Sequence, residues 1–225
     1  MTSASITSLD RIPRKRVDKF QQRRLELAEA ALLTLAQLGY ARTSLREIAQ
    51  NSEFSHGVLH YYFTDKTDLI LCCVQLYKSR CVTRYDAATA GAPTYDALAT
   101  GFLDALCATL HDEAHLHRLW YDLRSQSLFE PSFRADVLKI DASLQAMIWR
   151  VITRLAALRE TTIAAPPTLA YAVFDGLFQQ ALLKHLAGDA AAIPTLHEAG
   201  AHALHCLFAT ATTPAPSLAI SPAIG

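Results

Sequence analysis

Apolar side chains along this chain recur at intervals of three and four residues, the spacing that gathers them on one face of an α-helix. The first stripe is Leu27, Ala30, Ala31, Leu35 and Leu38, and it stops at Gly39, where glycine can close a helix in the left-handed conformation. Thr43 stands where a second, short helix needs a cap, and Leu45, Ile48 and Ala49 give that helix its buried side. Ser55 can cap a third helix reaching to about Tyr62. Asp65 can cap a fourth that begins at Lys66 and turns Leu69, Ile70, Val74 and Leu76 inward. After Arg84 the small-residue run DAATAGAPT breaks the pattern. Further helices are expected from Pro93 toward Leu110, then over 111–125, 132–158, 167–187 and 194–209. The pattern predicts an all-α fold with a flexible basic arm at 1–20, a three-helix helix-turn-helix domain at 21–81, a larger helical domain at 82–211 and a disordered tail at 212–225.

Composition agrees with a substantial core. Of 225 residues, 51% are hydrophobic and 19% charged, which argues against disorder. Lys and Arg total 21 against 21 Asp and Glu, so there is no global electrostatic pull toward nucleic acid or membrane. The distribution is uneven, however: Arg11, Arg14, Lys15, Arg16, Lys19, Arg23 and Arg24 are opposed only by Asp10 and Asp18 over 10–25. The odd set Cys72, Cys73, Cys81, Cys107 and Cys206 holds no C-x-x-C pair, so neither a disulfide framework nor a structural zinc site is expected. The opening residues MTSASITSLDRIPRKR lack a signal-peptide core, and no segment offers the run of about 18 apolar residues that spans a bilayer. A cytoplasmic protein without membrane contact is expected.

Two short helices joined by a tight turn, the second carrying hydrogen-bonding groups near its start, form the arrangement that enters the DNA major groove. On the third helix His56, Val58 and Tyr61 are expected to face base edges. Phosphate donors are expected from Thr43, Ser44, Ser55, His60, Tyr62 and Lys66, with Arg46 in the first turn of the second helix. Lys15 and Arg16 in the basic arm can follow the backbone or enter a minor groove.

With Leu27, Ala30, Ala31, Gly39, Thr43, Ser44, Ile48 and Ala49, followed by Phe54, Ser55, Gly57, Leu59, Tyr62, Phe63 and Lys66, residues 21–81 resemble the TetR-type regulators of bacteria. Two positions depart from that pattern. Glu53 stands where a turn glycine is usual, at a cost of about 1 kcal/mol if its φ is positive. His60 stands in place of a tyrosine. The stretches RLWYDLRSQSLFEPSFR and YAVFDGLFQQALLKHL are similar to the carboxy-terminal region of the BetI-like branch. The resemblance implies a ligand-responsive, DNA-binding transcriptional regulator, a repressor released by a small-molecule effector. Its last two helices would pair with their counterparts in a homodimer on a palindromic double-stranded operator. Ala199, Ala203 and Leu207 are the expected close-packing face.

In the second domain Trp120, Tyr121, Trp149, Phe174 and Phe178 are candidates to line an effector pocket, with Asp104, Arg124 and Gln179 as polar handles. Stacked rings there would suit a cationic or an aromatic ligand. His111 and His115 have metal-ligand spacing but lack the order of a zinc protease, so no metal, cofactor or catalytic residue is assigned. Two other readings stay open: a metal-dependent helical-bundle enzyme using His111, Glu113 and His115, and a protein-interaction module.

Overall fold

The computed structural model describes residues 11–40 and 43–208, with side chains from 18 onward except at 87 and 88. Helix α1 (Arg11–Leu38) is followed by the short α2 (Leu45–Gln50) and α3 (His56–Tyr62), then by α4 (Lys66–Cys81) and a single turn and a half, α5 (Asp86–Gly91). Four longer helices follow: α6 (Tyr95–Gln126), α7 (Arg134–Arg159), α8 (Pro167–Leu186) and α9 (Ala192–Cys206).

The helices start where their caps predict, with one shift. Ser44, rather than Thr43, accepts the first-turn N–H of α2, and Ser55 and Asp65 do the same for α3 and α4. The chain is already helical at Arg11, so the part of the expected arm over 11–20 belongs to α1. Residues 1–10, the tail beyond 208 and the side chains of Lys15 and Arg16 lie outside the described residues. DAATAG does not break the chain but forms α5, in keeping with the helix propensity of its alanines. The two helices expected on either side of His111 are one, α6, bent at Glu113 (φ −123°, ψ 20°).

The buried face of α1 is Leu27, Ala28, Ala31, Leu32, Leu35 and Ala36, while Ala30 is exposed and Leu38 half-buried. The expected stripe was therefore too narrow and slightly rotated, because α1 packs against two walls, α4 and α6. A continuous apolar core runs from Leu35 and Ile70 through Leu110 and Trp120 to Ile152 and Phe174, joining the amino-terminal helices to the rest. No helix of the described residues is long and apolar enough to cross a membrane.

Gly39 ends α1 at φ 77°, and a Cβ built there would lie 3.2 Å from Asp122 Oδ2. Gly39→Ala is expected to cost about 1–2 kcal/mol in urea unfolding, because it adds left-handed strain to crowding of that carboxylate. An unchanged unfolding midpoint would show that the turn relaxes freely.

Candidate functional site

Only Leu59 of α3 is buried, which fixes the rotation of the helix and leaves His56, His60 and Tyr61 facing outward. Tyr61 is 72% exposed. His56 and His60 meet through their Nε2 atoms at 3.0 Å with rings edge to face, a pair made by their spacing of one helical turn. Tyr62 is half-buried, its ring 4.9 Å from both Phe20 and Tyr61. Val58 is also half-buried and packs against the core, so it does not stand out toward base edges as expected. Glu53 has no positive φ, since Glu160 is the non-glycine residue with that conformation among those described. The turn without its glycine is therefore unstrained in this respect.

Several groups that chemistry alone assigns to phosphates are used inside the domain. Thr43 is buried and its Oγ1 donates to the Gly39 carbonyl at 2.5 Å. Lys66 Nζ donates to the Tyr40 carbonyl at 3.2 Å and lies 4.6 Å from the centre of the Tyr40 ring. Arg24, part of the basic run, donates to the Tyr62 carbonyl at 2.7 Å and holds Asp68 at 2.6 and 3.2 Å, with its guanidinium 4.7 Å over Phe63. Asp68 also accepts the Thr64 N–H at 3.0 Å, so one arginine of α1 fastens the end of α3 to the start of α4. Ser44, Arg46, Ser55, His56, His60 and Tyr61 remain exposed.

The carboxyl end of α1 is held by α6. Arg118 donates to the Ala36 and Gln37 carbonyls at 2.5 and 3.2 Å, and Asp122, one helical turn on, accepts the Tyr40 N–H at 2.7 Å. Carbonyls that a helix end leaves without partners thus receive a cation, which also suits the helix dipole.

Between α4, α6, α7 and α8 lies a cavity of about 70 Å³, lined by Lys78, His117, Trp120, Tyr121, Phe174, Asp175 and Phe178 among others. Its polar side chains are mostly paired. Glu113 takes Arg84 at 2.7 and 2.8 Å and the Tyr77 hydroxyl at 2.6 Å. Asp175 takes Arg124 at 2.5 Å and the Tyr121 hydroxyl at 3.0 Å. Asp141 takes Arg124 at 3.1 Å and the Tyr171 hydroxyl at 2.6 Å. Burial, reinforced by these carboxylates, raises the pKa of Tyr77, Tyr121 and Tyr171 and keeps the phenols protonated as donors. Lys78 is buried, with Nζ 3.3 Å from His117 Nδ1 and 5.2 and 5.3 Å from the ring centres of Tyr77 and Trp120. Burial lowers its pKa to about 8. His117 is held well below its ordinary value by burial and by the Lys78 charge, so the imidazole is neutral.

Of the residues expected at an effector pocket, Trp120, Tyr121, Phe174 and Phe178 line this cavity, and Arg124 braces its wall through Asp175. Asp104 is instead exposed opposite His197, Trp149 packs against the core away from the cavity, and Gln179 faces a separate groove. Sequence reasoning missed Lys78 and read His117 only as a structural histidine beside His111 and His115. Lys78 and His117 stand 39 residues apart, and only the pairing of α4 with α6 brings them together. Cys81, Glu113 and His117 place possible metal donors within 4.8 Å of one another, but Glu113 is already taken by Arg84 and Tyr77, and two cations flank the group. This group includes neither His111 nor His115.

Residues 27–73 match the family described as bacterial regulatory proteins, tetR family. Over that segment the chain is similar to the TetR-family regulators. It is 27% identical over 171 residues to the HTH-type transcriptional regulator BetI of Paraburkholderia phymatum, covering 72% of this chain and 82% of that one. A BetI of Paraburkholderia xenovorans is 44% identical, but over 48 residues, a quarter of its length. Both of these relatives are transcriptional regulators of the HTH type. The fold is also that of a putative TetR-family transcriptional regulator from Rhodococcus sp., with a TM-score of 0.64, 16% identity and coverage of 83% of this chain and 98% of that one. The FadR regulator of Bacillus subtilis, solved with stearoyl-CoA, gives a TM-score of 0.60 at 16% identity, covering 79% and 95%.

A buried lysine that forms no ion pair among the described residues destabilises the folded protein. Because the folded Lys78 loses its proton near pH 8 and an unfolded lysine near 10.4, the unfolded chain binds more protons between those values. Stability is thus expected to rise with pH from about 8 to 10. Lys78→Met removes the charge and is expected to be more stable at pH 7 by about 1–2 kcal/mol, with that rise abolished. Urea unfolding from pH 6 to 10 measures both, and a less stable Lys78→Met with the rise intact would contradict the account.

Proposed function

We propose that this regulator acts in the cytoplasm as an isologous homodimer that represses by binding a partly palindromic double-stranded DNA operator and is released by a small-molecule effector. The DNA face is the exposed set Ser44, Arg46, Ser55, His56, His60 and Tyr61, with Tyr62 at its edge, and the basic amino-terminal segment bearing Lys15 and Arg16 follows the backbone. One short recognition helix buries too little surface for specific binding, whereas two related by a twofold read half-sites about one turn apart.

The dimer face differs from the expected one. Ala203 and Leu207 are buried in the chain's own core and Ala199 is half-buried. The outward stripe on α8, Leu169, Ala172, Gly176, Leu183 and Leu186, is exposed and has the small and apolar character of a helix-pairing surface. It borders an open groove of about 580 Å³ that reaches Arg118 and Asp122. A Leu183→Glu, Leu186→Glu double variant is expected to be monomeric in size-exclusion chromatography with light scattering, to keep its helicity and to lose operator affinity by about tenfold or more.

The observation that carries the effector reading is on α6, where cavity residues His117, Trp120 and Tyr121 interleave with Arg118 and Asp122, which hold the end of α1. An effector that shifts α6 or α4 moves α1 and the recognition helix with it. DNA and effector then oppose each other by the same coupling free energy. That FadR was solved with a small molecule is in keeping with such a role for this fold.

Fluorescence anisotropy with the DNA flanking the protein's own gene tests the reading. Tight binding that weakens with salt and survives unrelated competitor DNA is expected, and binding removed by competitor would sink it. Arg46→Ala is expected to reduce the salt slope by about 1. Lys66→Ala is expected to lower thermal stability instead, since its ammonium is held by Tyr40.

A further inference from the structure

The cavity has an excess of donors. Its three nearby carboxylates, Glu113, Asp141 and Asp175, each already hold an arginine and a tyrosine hydroxyl. Lys78 forms no ion pair among the described residues and donates to a single acceptor, His117 Nδ1. Because that nitrogen accepts and the imidazole is neutral, His117 carries its hydrogen on Nε2. Nε2 of His117 and Nε1 of Trp120 are both buried, and neither has a hydrogen-bond partner among the described residues. The Lys78 ammonium, with one acceptor, and two N–H groups with none therefore belong to residues that line one cavity, an arrangement that costs stability unless a ligand completes it.

We propose that this cavity is a site for a small organic anion, a carboxylate on an aromatic or short aliphatic body. Its charged group would serve as counter-ion to Lys78 and accept from His117 Nε2 and Trp120 Nε1. The proposal rests on the effector reading above and names the chemistry of that effector. Leu144, Met147, Ile148 and Phe174 line the apolar remainder of the cavity and would take the body. The volume, room for about five to seven waters, limits that body to one ring or a short chain. A cation, the ligand that the cluster of aromatic residues first suggests, is opposed here. The Lys78 ammonium already covers the Tyr77 and Trp120 rings, and a second positive charge would meet it with no free carboxylate at hand.

The test is isothermal titration of the full-length protein with benzoate, phenylacetate and hexanoate, against benzamide and benzylamine as the neutral and cationic counterparts. At least one acid is expected to bind about tenfold or more tightly than either counterpart. Lys78→Met is expected to lose that preference while melting no lower than the wild type, which separates loss of the counter-ion from loss of the fold. Trp120→Phe, which keeps a ring but removes the N–H, is expected to weaken the acid severalfold and leave benzamide unaffected. Acids that all fail to bind at millimolar concentration, that bind no better than benzamide or benzylamine, or that bind Lys78→Met as well as wild type would overturn the proposal. Operator binding is measured separately without ligand. A protein that binds DNA but no acid loses only this inference, and one that binds an acid but no DNA loses only the regulator reading.

Discussion

The end of α1 is the point on which the arrangement of the molecule depends. A helix that stops at a left-handed glycine leaves carbonyls without partners, and here they are satisfied from elsewhere in the fold: Arg118 of α6 for Ala36 and Gln37, and Lys66 of α4 for Tyr40. Asp122 takes the Tyr40 N–H. The same few backbone atoms therefore set the position of the helix-turn-helix unit against both the connecting helix and the larger domain. Arg24 completes the frame from the other side, fastening α3 and α4 to α1 through Asp68 and the Tyr62 carbonyl.

Charge in this protein is consequently placed rather than spread. With basic and acidic residues equal in number, affinity for DNA cannot come from a uniformly positive surface. Several of the cations nearest the recognition helix are committed to internal carbonyls and carboxylates. Lys78 is the opposite case, a cation deep in the structure whose pairing is left to a neutral imidazole and two aromatic faces. A fold selected for stability alone would have a methionine or leucine there.

Much of this was legible in the sequence, and the failures have a common cause. The starts of α3 and α4, the glycine end of α1 and the all-helical architecture follow from local rules of capping and periodicity, which act within a few residues. The outward facing of His56, His60 and Tyr61 on α3 was also legible, because a single buried leucine, Leu59, decides which side chains face out. The internal bonds of Thr43 and Lys66 were not legible, because a donor's chemistry does not say whether its acceptor is a phosphate or a carbonyl of the same chain. That Asp104, Trp149 and Gln179 do not line the central cavity depends on the rotation of α6, α7 and α8 about their axes, which the sequence does not carry. Lys78 was passed over, and His117 was read only as a structural histidine beside His111 and His115. Lys78 and His117 are each, alone, an ordinary helix residue, and the cavity they share exists only once four helices have packed.

The interleaving on α6 has a consequence for how such a chain can diverge. Between residues 117 and 122 the cavity-lining positions 117, 120 and 121 are interspersed with 118 and 122, which hold the end of α1, and each added residue turns a helix by about 100°. A single insertion there would turn Arg118 and Asp122 away from the end of α1 and change which side chains face the cavity. Descendants of this sequence can therefore change what they sense by substitution in that stretch, but length variation must be confined to connectors such as 187–191, where Gly188 ends one helix before the next begins.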